Sequence, residues 1–132
     1  MVSDERELIH FNVQNMDSAI QKSRADTEYT VYRGIDNDKW MGGIGVGGTF
    51  TEKAYGSFSL DIKKALQYTN SQNPILLQLD VKKGMNVLFI DKTECEMLRP
   101  RERTYEITEL NKNYLIDGEG KTIVYKIEDL WE

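Results

Sequence analysis

Glu94 and Glu96 flank Cys95 in the segment DKTECEMLRPRERTYEIT, residues 91–108. In an extended strand, residues i and i+2 project from one face about 6–7 Å apart. Two carboxylates held that close repel. A fold keeps such a pair either because water covers the face or because the face has a task. A glycosidase pair fits poorly, since those carboxylates flank the scissile bond about 5–9.5 Å apart and usually come from different strands. Two other stretches carry polar groups in comparable settings. Arg33 ends the alternating run TVYRG, and Ser57 and Ser59 stand at i and i+2 in GSFSLD.

Other chemistries are short of parts. The chain holds one histidine, His10, and one cysteine, Cys95. A zinc site would need carboxylates for most of its ligands, and zinc prefers nitrogen and sulfur. A Ser-His-Asp triad would have to be built on His10, which lies in no recognisable site. GGIGVGG (42–48) is glycine-rich but lacks the Gly-Lys-Ser/Thr ending and the following helix of a phosphate-cradling loop, so it reads as a turning loop. No metal is expected.

The elements that must position these residues are mostly strands. EYTVYRG (28–34) alternates, is β-branched and aromatic, and stops at glycine. TFTEKAYGSFS (49–59) reads as two short strands around Glu52–Lys53, and PILLQLDV (74–81) as a strongly apolar strand. NVLFI (86–90), CEMLR (95–99), RTYEITEL (103–110) and KTIVYKIEDL (121–130) are further strands, with turns at KKGMN and DGEG. NMDSAIQKSRA reads as a short helix with Asp17 as N-cap, and LDIKKALQYT (60–69) as a second helix started by Asp61. ELIHFNV (7–13) fits either a strand or a helical turn. Alternating Arg99, Arg101 and Arg103 read as a solvated strand face. Strand runs with few helices predict an α+β or two-sheet arrangement.

The chain has 132 residues, 39% hydrophobic and 30% charged, which suits one domain over 1–132. A formal charge of −5 argues against nonspecific binding to nucleic acid or to an anionic membrane. No apolar run reaches the ~18 residues of a membrane span. MVSDEREL lacks the apolar core of a secretory signal, and a lone thiol fits a reducing compartment. A cytoplasmic site of action, in the producing cell or in a target cell, is expected.

Three segments then fall in order: the arginine of TVYRG, the two serines of GSFSLD, and Glu94-Cys95-Glu96. This order resembles the arginine, Ser-Thr-Ser and Glu-x-Glu pattern of the mono-ADP-ribosyltransferases, the family of clostridial-type binary toxins and phage-encoded transferases. The flanks are similar too: MDSAIQKSRADTEYTVYRG, FTEKAYGSFSLDIKKALQYT, ILLQLDVKKGMNVLFID and ECEMLRPRERTYEIT look like the family's corresponding stretches, so the resemblance covers roughly residues 16–130. It implies an α+β fold with two packed, mostly antiparallel β-sheets around an NAD cleft and a few short helices. It implies a toxin or phage effector that breaks the nicotinamide–ribose bond of NAD and passes ADP-ribose to a protein partner, with arginine as the acceptor.

By that resemblance Glu96 stabilises the positive charge that develops on the ribose, where a carboxylate acts most strongly in the transition state. Glu94 faces the incoming acceptor, and a carboxylate suits a guanidinium. Arg33 holds an NAD phosphate through its planar fork of donors. Gly34 lets the backbone approach the nicotinamide amide, Ser57 fixes the Glu96 rotamer by a hydrogen bond, Ser59 supports the strand, and Tyr68 lies where the family has an aromatic ring against nicotinamide. Departures from the pattern are Phe58 in the middle of the serine motif, a short loop before Glu94, Asn70 and Ser71 where a second basic NAD contact is common, and little chain before Arg33. The same fold also suits an NAD glycohydrolase with water as acceptor, or a catalytically silent binding module.

Overall fold

The computed structural model describes residues 15–39, 43–70, 72–91, 96–116 and 119–130. The stretch ELIHFNV lies outside them. Residues 15–22 form a helix, α1. The chain then runs through β1 (Tyr29–Ile35), β2 (Thr49–Glu52), β3 (Gly56–Ser59), α2 (Ile62–Leu66), β4 (Ile75–Val81), β5 (Leu88–Asp91), β6 (Glu96–Arg99), β7 (Arg103–Ile116) and β8 (Glu119–Asp129). No helix among the described residues is long and apolar enough to cross a membrane.

The strands hydrogen-bond in the order β2-β7-β8-β4-β1-β3-β6-β5. Pairing is antiparallel except between β4 and β8, which run parallel. The expected α+β architecture is present, and its two packed layers are two halves of one curled ladder. The curl shows in the core. Phe50 and Tyr105, from β2 and β7 at one end of the order, join Phe58 and Met97, from β3 and β6 near the other, in one buried cluster with Val31, Leu77, Leu79 and Ile127. Burying apolar area on both inner faces is the main force for closure. β4, whose sequence ILLQLDV is apolar on both sides, sits centrally and is buried at five of seven positions.

Two ion pairs cross the same fold-back. Arg33 on β1 meets Glu52 on β2. Arg99 on β6 meets Asp129 at the end of β8, with both side chains fully buried. Arg103 Nε also donates to Asp129 Oδ2 at 2.9 Å, and Arg99 Nη1 donates to the Asn86 carbonyl. The expectation of a solvated arginine face therefore fails at Arg99. Its strand lies inside the closure, and Asp129, which satisfies its charge, is 30 residues away in sequence.

Asp17 does not cap α1, because residues 15 and 16 before it are already helical. Its carboxylate instead accepts from Arg101 Nη2 and from the Tyr55 hydroxyl, each at 2.7 Å. The Arg101 hydrogen bond holds the Asp17 carboxyl below its ordinary range. Burial, helped by the Asp17 hydrogen bond, pushes the Tyr55 hydroxyl up to about 12. The Asn86 amide donates to the carbonyls of Ile20 and Gln21, satisfying groups that a helix C-terminus leaves open.

α2 is shorter than the 60–69 expected, but Asp61 caps it, accepting from Lys63 N at 2.9 Å. Ala65 of α2 packs with Leu76 and Val124 in a second buried cluster on the outer face of β1, β4 and β8. The approach is close: a Cβ on Gly34 would stand 1.9 Å from the Ala65 carbonyl oxygen and 3.0 Å from Thr69 Cγ2. Gly34→Ala must push α2 off the sheet or distort β1, and overpacking of this kind costs about 1–3 kcal/mol. A lowered denaturant midpoint is the expected result, and an unchanged midpoint would show that α2 does not lie this close to β1.

Candidate active site

β1 pairs with β4 along its whole length, from Tyr29 opposite Val81 to Ile35 opposite Ile75. With β3 it meets at one pair, Tyr32 opposite Ser59. The two strands part beyond that point, and a cleft of about 310 Å³ opens, lined among others by Arg33, Gly34, Ser57, Lys64, Tyr68 and Glu96. That volume is at the lower end of the range for ligand pockets.

Each wall follows from local structure. β3 buries Phe58 in the main core, so Ser57 and Ser59 project from the opposite face. The substitution of phenylalanine in the middle of the serine motif therefore adds to the core. β3 and β6 pair with Ser59 opposite Glu96 and Ser57 opposite Leu98. Ser57 and Glu96 are then diagonal neighbours on one face, and Ser57 Oγ donates to Glu96 Oε1 at 2.8 Å. The hydrogen bond implied between them is present. It uses one acceptor oxygen of the carboxylate and fixes its direction. Ser59, nearly buried, accepts from Asp61 N at 3.0 Å and so pins the turn from β3 into α2.

Gly34 and Tyr68 both border the cleft. Gly34 is also the point where α2 rests on β1, so its small size serves the helix as well as the cleft. Tyr68 is 73% exposed and so is not a core aromatic. Arg33 Nη1 donates to Glu52 Oε2 at 2.7 Å, with the two side chains 26% and 16% exposed. Glu94 and Cys95 lie outside the described residues, so five of the six expected site residues meet in this cleft and Glu94 stands apart from the comparison.

Two residues were missed in the sequence. Lys64 on α2 lines the cleft and supplies a second cation there, where Asn70 and Ser71 had pointed to a single one. Its signal was available: it precedes Tyr68 by four residues, the spacing that puts two side chains on one helical face. Glu52 was seen only as a strand break, although it follows buried Phe50 by two in TFTE and so shares its inward face. Among the described residues no group of three or more His, Cys, Asp or Glu could hold a metal ion.

No curated protein sequence matches the chain. Among solved structures, C3stau2 from S. aureus, crystallised with NAD, superposes with a TM-score of 0.68 at 21% identity, covering 93% of this chain and 72% of that one. C3larvin toxin, an ADP-ribosyltransferase from Paenibacillus larvae, gives 0.67 at 23% identity, covering 98% and 80%. The enzymatic component C2-I of the C2-toxin from Clostridium botulinum gives 0.73 at 15% identity, covering 98% of this chain but 38% of that one. These likenesses establish the fold. The family profile for ADP-ribosyltransferase exoenzyme matches residues 2–128. The chain therefore belongs to the ADP-ribosyltransferase exoenzyme family, whose chemistry is NAD-dependent mono-ADP-ribosylation.

Proposed function

We propose that this protein transfers ADP-ribose from NAD to an arginine of a protein substrate, with release of nicotinamide. The observation that carries the reading is the 2.8 Å hydrogen bond from Ser57 to Glu96 inside a cleft that Arg33 also lines. A carboxylate with its rotamer fixed in advance needs little reorganisation when positive charge develops beside it, which is the condition for electrostatic catalysis. NAD supplies the ADP-ribosyl group and the leaving nicotinamide. The donor set fits it: Arg33 and Lys64 for the anionic diphosphate, Glu96 for the ribose, and the exposed Tyr68 ring beside Gly34 for the flat nicotinamide.

In this reading Arg33 anchors a phosphate through its planar fork, and the anchor acts on binding rather than on the bond that breaks. Glu96 acts where charge changes, so its contribution falls on the rate. Ser57 acts through Glu96. Glu94 receives the acceptor, where a carboxylate pairs with the incoming guanidinium and takes up its proton as the new bond forms.

Glu94→Ala separates transfer from hydrolysis. It removes the acceptor's partner and spares every residue proposed to hold NAD. Label transfer to protein in a cell lysate is expected to disappear, while slow release of nicotinamide to water continues. Equal loss of both activities in a variant that still binds NAD would contradict the division of labour between the two glutamates. Transfer that persists, on a side chain other than arginine, would remove the arginine assignment and keep the enzyme.

A further inference from the structure

Arg33 lies between Val31 and Ile35 on β1, both buried in the main core. By strand alternation its stem leaves on their face, opposite to the face of Gly34. Ser57, Ser59 and Glu96 project on Gly34's side, since Ser59 pairs with Tyr32 and with Glu96. Left alone, a long cation in this position has many rotamers and no reason to point at the cleft. One contact directs it. Glu52 reaches across from β2, which stands at the far end of the hydrogen-bonded order, and takes Nη1 at 2.7 Å. Glu52 itself is not among the cleft's lining residues, whereas Arg33 is.

We infer that Glu52 is the positioning residue for Arg33. It holds the guanidinium by one corner at the cleft edge and leaves the Nε–Nη2 edge of the fork for an anionic group of the dinucleotide. Among the described residues the ion pair engages Nη1 alone. An arginine can give two parallel donors from its other edge, the geometry that suits a phosphate. Both partners are largely shielded from water, so salt screens the pair less than it would an exposed one. Glu52 is carried by a strand whose placement depends on the curl of the sheet. Closure of the fold and presentation of the phosphate anchor are therefore one event. The inference rests on the reading of Arg33 as that anchor.

Glu52 has two opposed effects on an anion, and two variants separate them. Its charge repels the incoming phosphate, while its oxygen orients the arginine. Glu52→Gln removes the charge and keeps an acceptor for Nη1. Glu52→Ala removes both. Calorimetric titration of NAD into wild type and both variants is expected to show the glutamine variant binding at least as tightly as wild type. The alanine variant should bind about 2- to 10-fold more weakly than the glutamine variant, the cost of ordering one rotamer-rich side chain on binding. The same ratio is expected in KM with kcat unchanged, and it should vanish when both substitutions are repeated on Arg33→Ala. Equal affinity of the two variants would overturn the positioning role, as would a difference that survives on Arg33→Ala. A wild-type protein that binds NAD no more tightly than Arg33→Ala would overturn the anchor reading beneath it.

Discussion

Glu96→Gln is expected to slow cleavage of NAD by about 10²–10³-fold, for both transfer and hydrolysis, in a protein that stays folded and still binds NAD. The substitution keeps the shape of the side chain, and its amide oxygen can still accept from Ser57 Oγ, the 2.8 Å contact that fixes the carboxylate. What disappears is the negative charge. A charge that matters only while positive charge develops on the substrate lowers kcat and kcat/KM together when it is removed, with little change in affinity. Single-turnover release of nicotinamide measures this directly. Near wild-type turnover in the folded variant would show that Glu96 is a hydrogen-bonded strand residue at the mouth of a cleft and nothing more.

Asp129→Ala is expected to cost about 3–5 kcal/mol of stability, lowering the thermal midpoint by roughly 10–20 °C. Asp129 and Arg99 are both fully buried, and Arg103 shares the same carboxylate. Removing the acid takes from buried Arg99 the carboxylate it pairs with in the interior, a far larger penalty than losing a surface pair. The loss is a large fraction of the total stability of a domain this size. A double variant, Arg99→Met with Asp129→Leu, removes both charges and is expected to recover most of the loss. Calorimetric melting of the single and double variants gives the comparison. An Asp129→Ala protein as stable as wild type would mean that the closure of the two layers does not depend on this pair. Because β6 carries both Arg99 and Glu96, the single variant is also expected to lose activity at temperatures below its midpoint.

The parts of the fold that depend on local pattern were legible in the sequence. EYTVYRG alternates and became β1, Asp61 announced the start of α2, and the doubly apolar ILLQLDV became the central strand. The arginine, the serines and Glu96 could be placed on strand ends and on shared faces, and the structure gathers them at one cleft. What stayed hidden were contacts made by folding back. Arg99 alternates with Arg101 and Arg103 just as a solvated face would, and only the arrival of Asp129 buries it. Asp17 looked like a cap because its neighbours are helical, yet its partner Arg101 is 84 residues away. Glu52 sits in a four-residue strand, too short to advertise an inward face. Period and propensity describe neighbours in sequence, and an ion pair across a curled sheet leaves no trace in either.

The most direct test of the account uses NAD labelled in two places, once in the adenosine and once in the nicotinamide. Each is incubated with the wild-type protein and a cell lysate, and the protein fraction is then washed free of small molecules. Adenosine label is expected to become covalently attached to protein while nicotinamide label is released into solution in at least equal amount. Both signals are expected to fall together in Glu96→Gln. Nicotinamide release with no label on protein would identify a glycohydrolase instead of a transferase, and absence of both signals in a protein that binds NAD would contradict the catalytic reading of the cleft altogether.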